Sequence, residues 1–321
     1  MNTRTWSVEL MEAMGIPPEL MPQKIVESSD IVGGLTEQAA KMLGLEPGML
    51  VCAGGVDCGV ANIGLGVLKP GIFAVAIGTS MCAAFVSDKK IHGNGLIVWP
   101  YLFEAKKMSY YFGGASTAGA IVKWFRNTFA EIELELERKG GKRAYDSLNE
   151  QAAKILAGSE GLIVLSYFMG ERSPVWDSNA KGVIAGLSLN HTKAHINRAF
   201  LEAVAYSLRD TMEAFNEDCG EYFLLAGGVT KSELWLQIIA DVTGCPVVCP
   251  KNDVEANMGD VILAGIGTGW LTYEDVEKWQ VLGEKIIPDE ERHRVYNDYY
   301  KLYHSVYKDL KGDLQKMSEL G

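Results

Sequence analysis

The chain reads as an α/β protein, and three observations carry that reading. Short apolar runs bounded by glycine or proline alternate with longer stretches of helical period along most of its length. Several of the apolar runs end in tight small-residue turns, Gly78-Thr79-Ser80, Gly113-Gly114 and Gly227-Gly228. No internal repeat or low-complexity tract interrupts the alternation.

In chain order, residues 5–14 read as a short helix ended by Gly15 and by Pro17-Pro18. The stretch 35–43 is a helix with Thr36 as N-cap and Gly44 as C-cap. Pro47-Gly48 then turns into a strand at 49–53 that looks buried, and small residues over 60–66 suit a helix packed closely on a sheet. Residues 72–77 and 81–86 are paired strands around Gly78-Thr79-Ser80, which 97–101 and 109–112 continue as an antiparallel meander. A helical period starts at Ser116 and runs to Arg126. The densely charged stretch 131–143, with Gly140-Gly141, is an exposed helix end or loop. Residues 162–166 form a strand and 170–174 a turn, and 192–215 is a long amphipathic helix. Strands at 222–226 and 246–249 alternate with helices at 234–242 and 260–269. The last thirty residues form a helix whose tyrosine stripe, Tyr296 to Tyr307, is core or interface packing.

At 321 residues the chain is long for a single core, so two domains, or one with a large fragment, are expected. A net charge of −11 argues against nucleic acid and anionic membrane as partners. It leaves nucleotides open, because local amides and hydroxyls hold those. Cysteines at 52, 58, 82, 219, 245 and 249 include no Cys-x-x-Cys and read as small buried hydrophobes in a reducing compartment. Without a signal peptide or a run long enough to span a bilayer, the expectation is a cytoplasmic protein. His191 and His195 have metal spacing on one helix, but no third ligand is visible, so capping and surface roles are favoured and no metal site is assigned.

Two segments carry the chemistry. Gly54-Gly55-Val56-Asp57 places a carboxylate just past a strand end, and Gly78-Thr79-Ser80 offers amides and hydroxyls suited to an anionic oxygen. A lone base beside a phosphate-holding turn is the minimum equipment for moving a phosphoryl group onto an alcohol. The plainer reading of Asp57 is an Asx turn or a helix N-cap. No Walker loop is present, and Gly265-Ile-Gly-Thr-Gly269 lies at a helix end, where packing explains it. A nucleotide held by scattered strand-end turns is the pattern of actin-like ATPases.

The order of these motifs resembles the FGGY family of carbohydrate kinases. The likeness rests on Gly54 to Asp57, Ala76-Ile-Gly-Thr-Ser80, Gly170-Glu-Arg-Ser-Pro-Val-Trp-Asp177, the helix with Arg198 and Glu202, and Ala226-Gly-Gly-Val-Thr-Lys-Ser232 running on to Pro246. It implies an actin-like, ribonuclease H-like fold and ATP-dependent phosphorylation of a sugar or polyol, with ATP and Mg²⁺ required and a lean toward xylulokinase. By that resemblance Asp57 is the catalytic base. Gly78, Thr79 and Ser80 hold phosphate oxygens. Gly119 and Lys123 stand near phosphates and ribose, although family members often carry Gln at the position of Lys123. Gly227, Gly228 and Ser232 lie at the adenine. Arg172, Ser173 and Asp177 invite a substrate role, with a structural turn at least as plausible.

The resemblance also implies a division of the chain. Residues 1–70 would be the tail of an N-terminal kinase domain and 71–321 the C-terminal actin-like domain, the C-terminal half of a two-domain sugar kinase. The opposing phosphate grip and most sugar contacts would lie outside the chain, on a missing N-terminal half, and apolar surface around 49–53 would be exposed and drive self-association. The competing reading is a non-catalytic nucleotide-binding or regulatory fragment of the same fold.

Overall fold

The computed structural model describes residues 5–91, 95–251 and 255–320. Helix α1 (Val8–Ala13) is capped by the Ser7 hydroxyl, and α2 (Glu37–Leu43) lies between β1 (Ile31–Gly34) and β2 (Leu50–Cys52). Thr36 Oγ1 accepts from the Ala39 amide and Gly44 ends α2 at φ 69°, so both expected caps form. Strand β2 departs from the buried strand that its apolar run suggested and matches the exposed apolar surface expected around 49–53. It pairs only with β1 in an antiparallel ribbon, and Leu50 and Val51 are 56% and 39% exposed. The run looked buried because it is apolar, but it forms no part of the main sheet. Helix α3 (Asp57–Gly64) follows directly.

Next come β3 (Phe73–Ile77), β4 (Met81–Ser87), β5 (Ile97–Pro100) and β6 (Ser109–Gly113). Helices α4 (Gly119–Phe129), α5 (Glu131–Arg138) and α6 (Ala144–Ala152) lead to the small hairpin of β7 (Ile163–Leu165) and β8 (Val183–Ala185). The long α7 (Lys193–Glu213) precedes β9 (Phe223–Ala226), α8 (Glu233–Thr243), β10 (Val247–Pro250), α9 (Glu255–Gly267), α10 (Tyr273–Trp279), β11 (Leu282–Ile286) and α11 (Glu290–Leu320).

The main sheet has the order β11-β10-β9-β3-β4-β6-β5. Strands β3, β9 and β10 run parallel, and the remaining pairs are antiparallel. The expected meander is therefore antiparallel but not sequential, because β6 rather than β5 lies beside β4. Strict alternation puts Phe73, Val75, Ile77, Phe223 and Leu225 in one core with α4, α7, α8 and α11. Ala74, Ala84, Val86, Leu224 and Val248 face a second core with α3 and α9. A helix–sheet–helix sandwich results.

Two contacts fix the helical layers. On one side, Arg198 Nε meets Glu202 Oε1 at 2.9 Å inside the core. Tyr296 donates to the same oxygen at 2.8 Å and Ser159 to Oε2 at 2.7 Å, which pins α11 to α7. The tyrosine stripe is thus core packing, with Tyr296, Tyr300 and Tyr303 buried. On the other side, Gly259 lets α9 touch α3: a Cβ there would stand 2.0 Å from Val60 O. Gly267 similarly admits Ser29 O and Gly265 admits the Leu271 side chain, so these two serve packing, while Gly269 turns the chain at φ 75°.

Three expectations need correction. The stretch 131–143 contains a complete helix, α5, whose Glu133 is buried by an ion pair with Lys193 at 2.5 Å. Cys219 and Cys245 form a disulfide rather than staying separate thiols, because the end of the loop after α7 and the start of β10 converge. The other four cysteines are half-buried, not fully buried.

Replacing Gly259 by Ala forces α9 away from α3, the helix that carries Asp57. The expected loss is about 1–3 kcal/mol of stability, seen as a lower midpoint in denaturant. An unchanged midpoint would show that this approach is slack.

Candidate functional site

Because β3 and β9 run parallel side by side, both release their chains at the same sheet edge: Gly78 after Ile77, and Gly227 after Ala226. Gly227 has φ 93°, and a Cβ on it would stand 2.5 Å from Ile77 O, so the two strand ends touch backbone to backbone. Gly119 makes the matching approach from α4, where a Cβ would stand 2.4 Å from Gly78 O. The amides of Ala118, Gly119 and Ala120 donate to Thr79 O, Gly78 O and Thr79 O at 2.9–3.1 Å. The first turn of α4 is therefore engaged with the strand turn, and Gly119 works through closeness rather than through a free amide.

A cavity of about 660 Å³ opens on this edge. It contains Gly78, Thr79, Gly119, Lys123, Gly228 and Ser232, six of the nine residues singled out from the sequence. Among the described residues, the Thr79 and Ser80 hydroxyls and the Lys123 ammonium have no hydrogen-bond or ion-pair partner, so the lining includes unused polar groups at Thr79 and Lys123. Gly228 faces open space. Ser232 caps α8, accepting from the Trp235 amide at 3.2 Å, and accepts from Asn149 Nδ2 at 3.0 Å. Trp124, Val122, Leu201, Val229 and Trp235 add apolar surface to the lining.

Sequence reasoning missed the contribution of α6. Its start brings Arg143, Tyr145 and Asp146 to the cavity, and Asn149 follows one turn later. Arg143 holds Asp146 in a two-pronged contact at 2.8 and 2.9 Å, and the Arg126 guanidinium lies 4.5 Å above the Tyr145 ring. The approach of α6 to α8 depends on the path of the charged insert, which leaves no local motif.

Asp57, Ser80 and Gly227 do not line the cavity. Ser80 continues the turn, and Gly227 lies beneath it. Asp57 opens α3 with an exposed carboxylate whose Oδ1 accepts from the Cys58 amide at 2.7 Å. Its neighbourhood is recorded in two thiols. Burial, and then the Asp57 charge, push the Cys58 thiol up. Burial likewise pushes up Cys82, the second residue of β4, with Arg172 pulling it down and Asp57 adding to the rise. Val56 is the N-cap of α3 but makes no side-chain cap, and the Asp57 carboxylate, by accepting the Cys58 amide, serves the start of the helix instead.

The histidines resolve into structure. His195 completes a capping box with Thr192, and His191 Nδ1 accepts from the Ser188 amide at 2.9 Å. No helix among the described residues is long and apolar enough to cross a membrane, and no cluster of three acidic, His or Cys side chains is found among them.

The C-terminal domain model of the FGGY family of carbohydrate kinases matches residues 73–268, and the N-terminal domain model matches residues 1–64. The chain belongs to the FGGY family of carbohydrate kinases. Both family domains are thus represented. Xylulose kinase of Staphylococcus epidermidis is 31% identical over 95% of this chain and 60% of its own length. Gluconokinase of Bacillus licheniformis is 28% identical over 99% of this chain and 62% of its own. The crystal structure of ligand-bound xylulose kinase from Lactobacillus acidophilus superposes with a TM-score of 0.88 at 25% identity, covering 98% of this chain and 63% of that one. The chain therefore spans about three fifths of the length of these FGGY relatives. The shared architecture is the actin-like, ribonuclease H-like fold.

One FGGY motif residue has a measurable acid–base signature. Glu171 is 5% exposed, and burial pushes its carboxyl up to about 7 from an ordinary 4.5. The Ser116 and Arg172 amides and the Arg172 charge oppose the rise, and Asp210 adds to it. Between those two pH values the folded chain keeps a proton that the unfolded chain releases, so stability falls as pH rises through the window. The full effect is about 3 kcal/mol. Urea titrations at pH 5 and pH 8 should show a shallower loss in Glu171→Gln than in the wild type. Equal losses would clear Glu171 of this role.

Proposed function

We propose that this chain binds ATP in the 660 Å³ cavity and supplies the base for transfer of the γ-phosphoryl group to a sugar or polyol hydroxyl. The observation that carries the reading is the polarity of the cavity. Thr79 and Lys123, with Ser80 next in the turn, offer unengaged donors, and Trp124, Trp235 and aliphatic side chains in the same lining offer apolar surface for a base. Gly228 leaves room for backbone to approach the nucleotide, and Asn149 and Ser232 supply polar groups beside it.

In the proposed reaction the substrate hydroxyl attacks the γ-phosphorus while its proton passes to Asp57. The new O–P bond forms as the bond to the β,γ-bridging oxygen breaks, and ADP leaves with that electron pair. Thr79, Ser80 and Lys123 hold the phosphates in line, so the protein's contribution is positioning, charge stabilisation and proton removal. Mg²⁺ would neutralise phosphate charge. The described residues hold no acidic cluster to bind it, so no step is assigned to side chains acting through the metal.

Residues 1–70 form part of the first family domain in this reading and 71–321 the second. The sugar sits on the side of Asp57 turned toward the first domain, and polypeptide beyond residues 1–64 completes its pocket. Xylulose-like ketoses are the proposed substrates, and ATP as co-substrate carries a cytoplasmic location. The exposed apolar side chains Met42, Leu43, Met49 and Leu50 are the proposed contact with that polypeptide or with a second copy.

ADP release should be measured across a sugar and polyol panel, with the chain alone and with a separately expressed N-terminal half of a xylulose kinase. The expectation is turnover of a ketose by the pair. Nucleotide binding without turnover in either setting would favour the non-catalytic reading. In the active pair, Asp57→Asn should lower kcat by about 10²–10⁴-fold with little change in affinity for ATP. A near-normal rate would show that the base is elsewhere. Light scattering of the chain alone should show self-association through the exposed apolar face, and a clean monomer would argue against that face being sticky.

A further inference from the structure

The Gly170–Asp177 loop lies outside the cavity, yet its side chains reach the backbone that shapes it. Arg172 Nη2 donates to Met81 O at 3.2 Å and to Ala115 O at 3.0 Å. Met81 is the residue directly after the Gly78–Ser80 turn, and Ala115 lies on the connector from β6 to α4. Glu171 Oε1 accepts from the Ser116 amide at 2.8 Å and from the Arg172 amide at 2.7 Å. One dipeptide thus grips both chain segments that flank the turn.

The grip answers a specific crowding. Gly114 lets Met81 O come so close that a Cβ there would stand 2.1 Å away. The Met81 amide donates to Ala115 O at 3.1 Å, and that oxygen still has a second lone pair to satisfy. Two partly negative carbonyl oxygens therefore converge beside the phosphate turn. The guanidinium meets both and also faces the Cys82 thiol, which senses Asp57 as well.

The loop is itself anchored. Glu171 and Asp177 exchange backbone hydrogen bonds at 2.7 and 3.0 Å, Ser173 Oγ donates to Gly95 O at 2.7 Å, and the Gly114 amide donates to Ser173 O at 3.2 Å. Tyr307 of α11 donates to Asp177 Oδ2 at 2.7 Å. A rigid support therefore stands behind the cation.

We infer that Arg172, seated by Glu171, is a positioning residue that locks the Gly78-Thr79-Ser80 turn against the start of α4 and thereby sets the geometry of the phosphate end of the cavity. The inference rests on the ATP reading of that cavity. It assigns Arg172 no contact with substrate: the residue acts through Met81 and Ala115. Both bonds leave the single nitrogen Nη2, so a lysine ammonium with three donors can keep part of the contact, and methionine, with no donor, can keep none.

The test is titration calorimetry of ATP, ADP and adenosine, with magnesium present, on the wild type, Arg172→Met and Arg172→Lys. Arg172→Met should bind ATP and ADP about ten- to a hundredfold more weakly while adenosine affinity stays within about twofold, and Arg172→Lys should fall between. A merely structural role would weaken all three ligands together. That result, or unchanged ATP and ADP affinity in both variants, overturns the inference. Should Arg172→Met fail to fold, the same split between phosphates and nucleoside in a folded Arg172→Lys decides the matter. A wild type that binds none of the three ligands overturns the ATP reading itself, an outcome visible before any variant is made.

Discussion

The parallel pairing of β3 with β9 governs everything on the cavity side of the molecule. Parallel neighbours deliver their C-terminal ends to one edge, and here each end opens into a turn of small residues. The two turns can lie together only because Gly227 has no side chain to strike Ile77 O, and α4 can close the gap only because Gly119 has none to strike Gly78 O. Three backbones meet within contact distance, and the cavity is the space left where they diverge. A methyl group at either glycine would displace backbone rather than a movable side chain, so the constraint is steep.

That arrangement explains which parts of the fold were legible in the sequence. Strands β3, β4 and β9 alternate cleanly because each is covered on both faces by different cores, and their residues sort into those cores by parity. The caps of α2 and the boundaries of α7 follow from local chemistry at Thr36, Gly44 and Thr192. Strands β1, β8 and β11, and helices α6 and α10, left weaker marks. Four of these five are at most seven residues long, and β8 and β11 show no fully buried position. The burial of β2 was misjudged for a related reason. Apolarity in Leu50-Val51-Cys52 does not by itself distinguish a strand of the main sheet from one in a separate, exposed ribbon.

The site divided along the same line. Glycine turns at strand ends could be read because backbone close approach demands a particular residue type at a particular place. Asn149, Tyr145 and the Arg143–Asp146 pair could not, since any amphipathic helix carries such residues and only the path of the chain through α5 brings them to the cavity. The paired Cys219 and Cys245 are a similar case. They are 26 residues apart, and their meeting depends on β10 lying alongside β9.

The division of labour between rigid and open groups then follows. Amides at the start of α4 are occupied by Gly78 and Thr79 carbonyls, which makes the turn stiff but removes those donors from any ligand. Hydroxyls and an ammonium, held by that stiff turn and by α4, are left free, and in the proposed reaction these are the groups that meet the phosphates. Stiffness matters for such a task because a phosphoryl group in flight is stabilised by groups already in place, and each freely rotating donor must be ordered at the moment of reaction. Asp57 stands apart from this lattice, exposed at the start of a short helix whose position depends on Gly259. In the proposed reaction, a base on a separate support from the phosphate-holding groups is brought to bear by closure over the acceptor. An exposed carboxylate is the state expected of it before that closure.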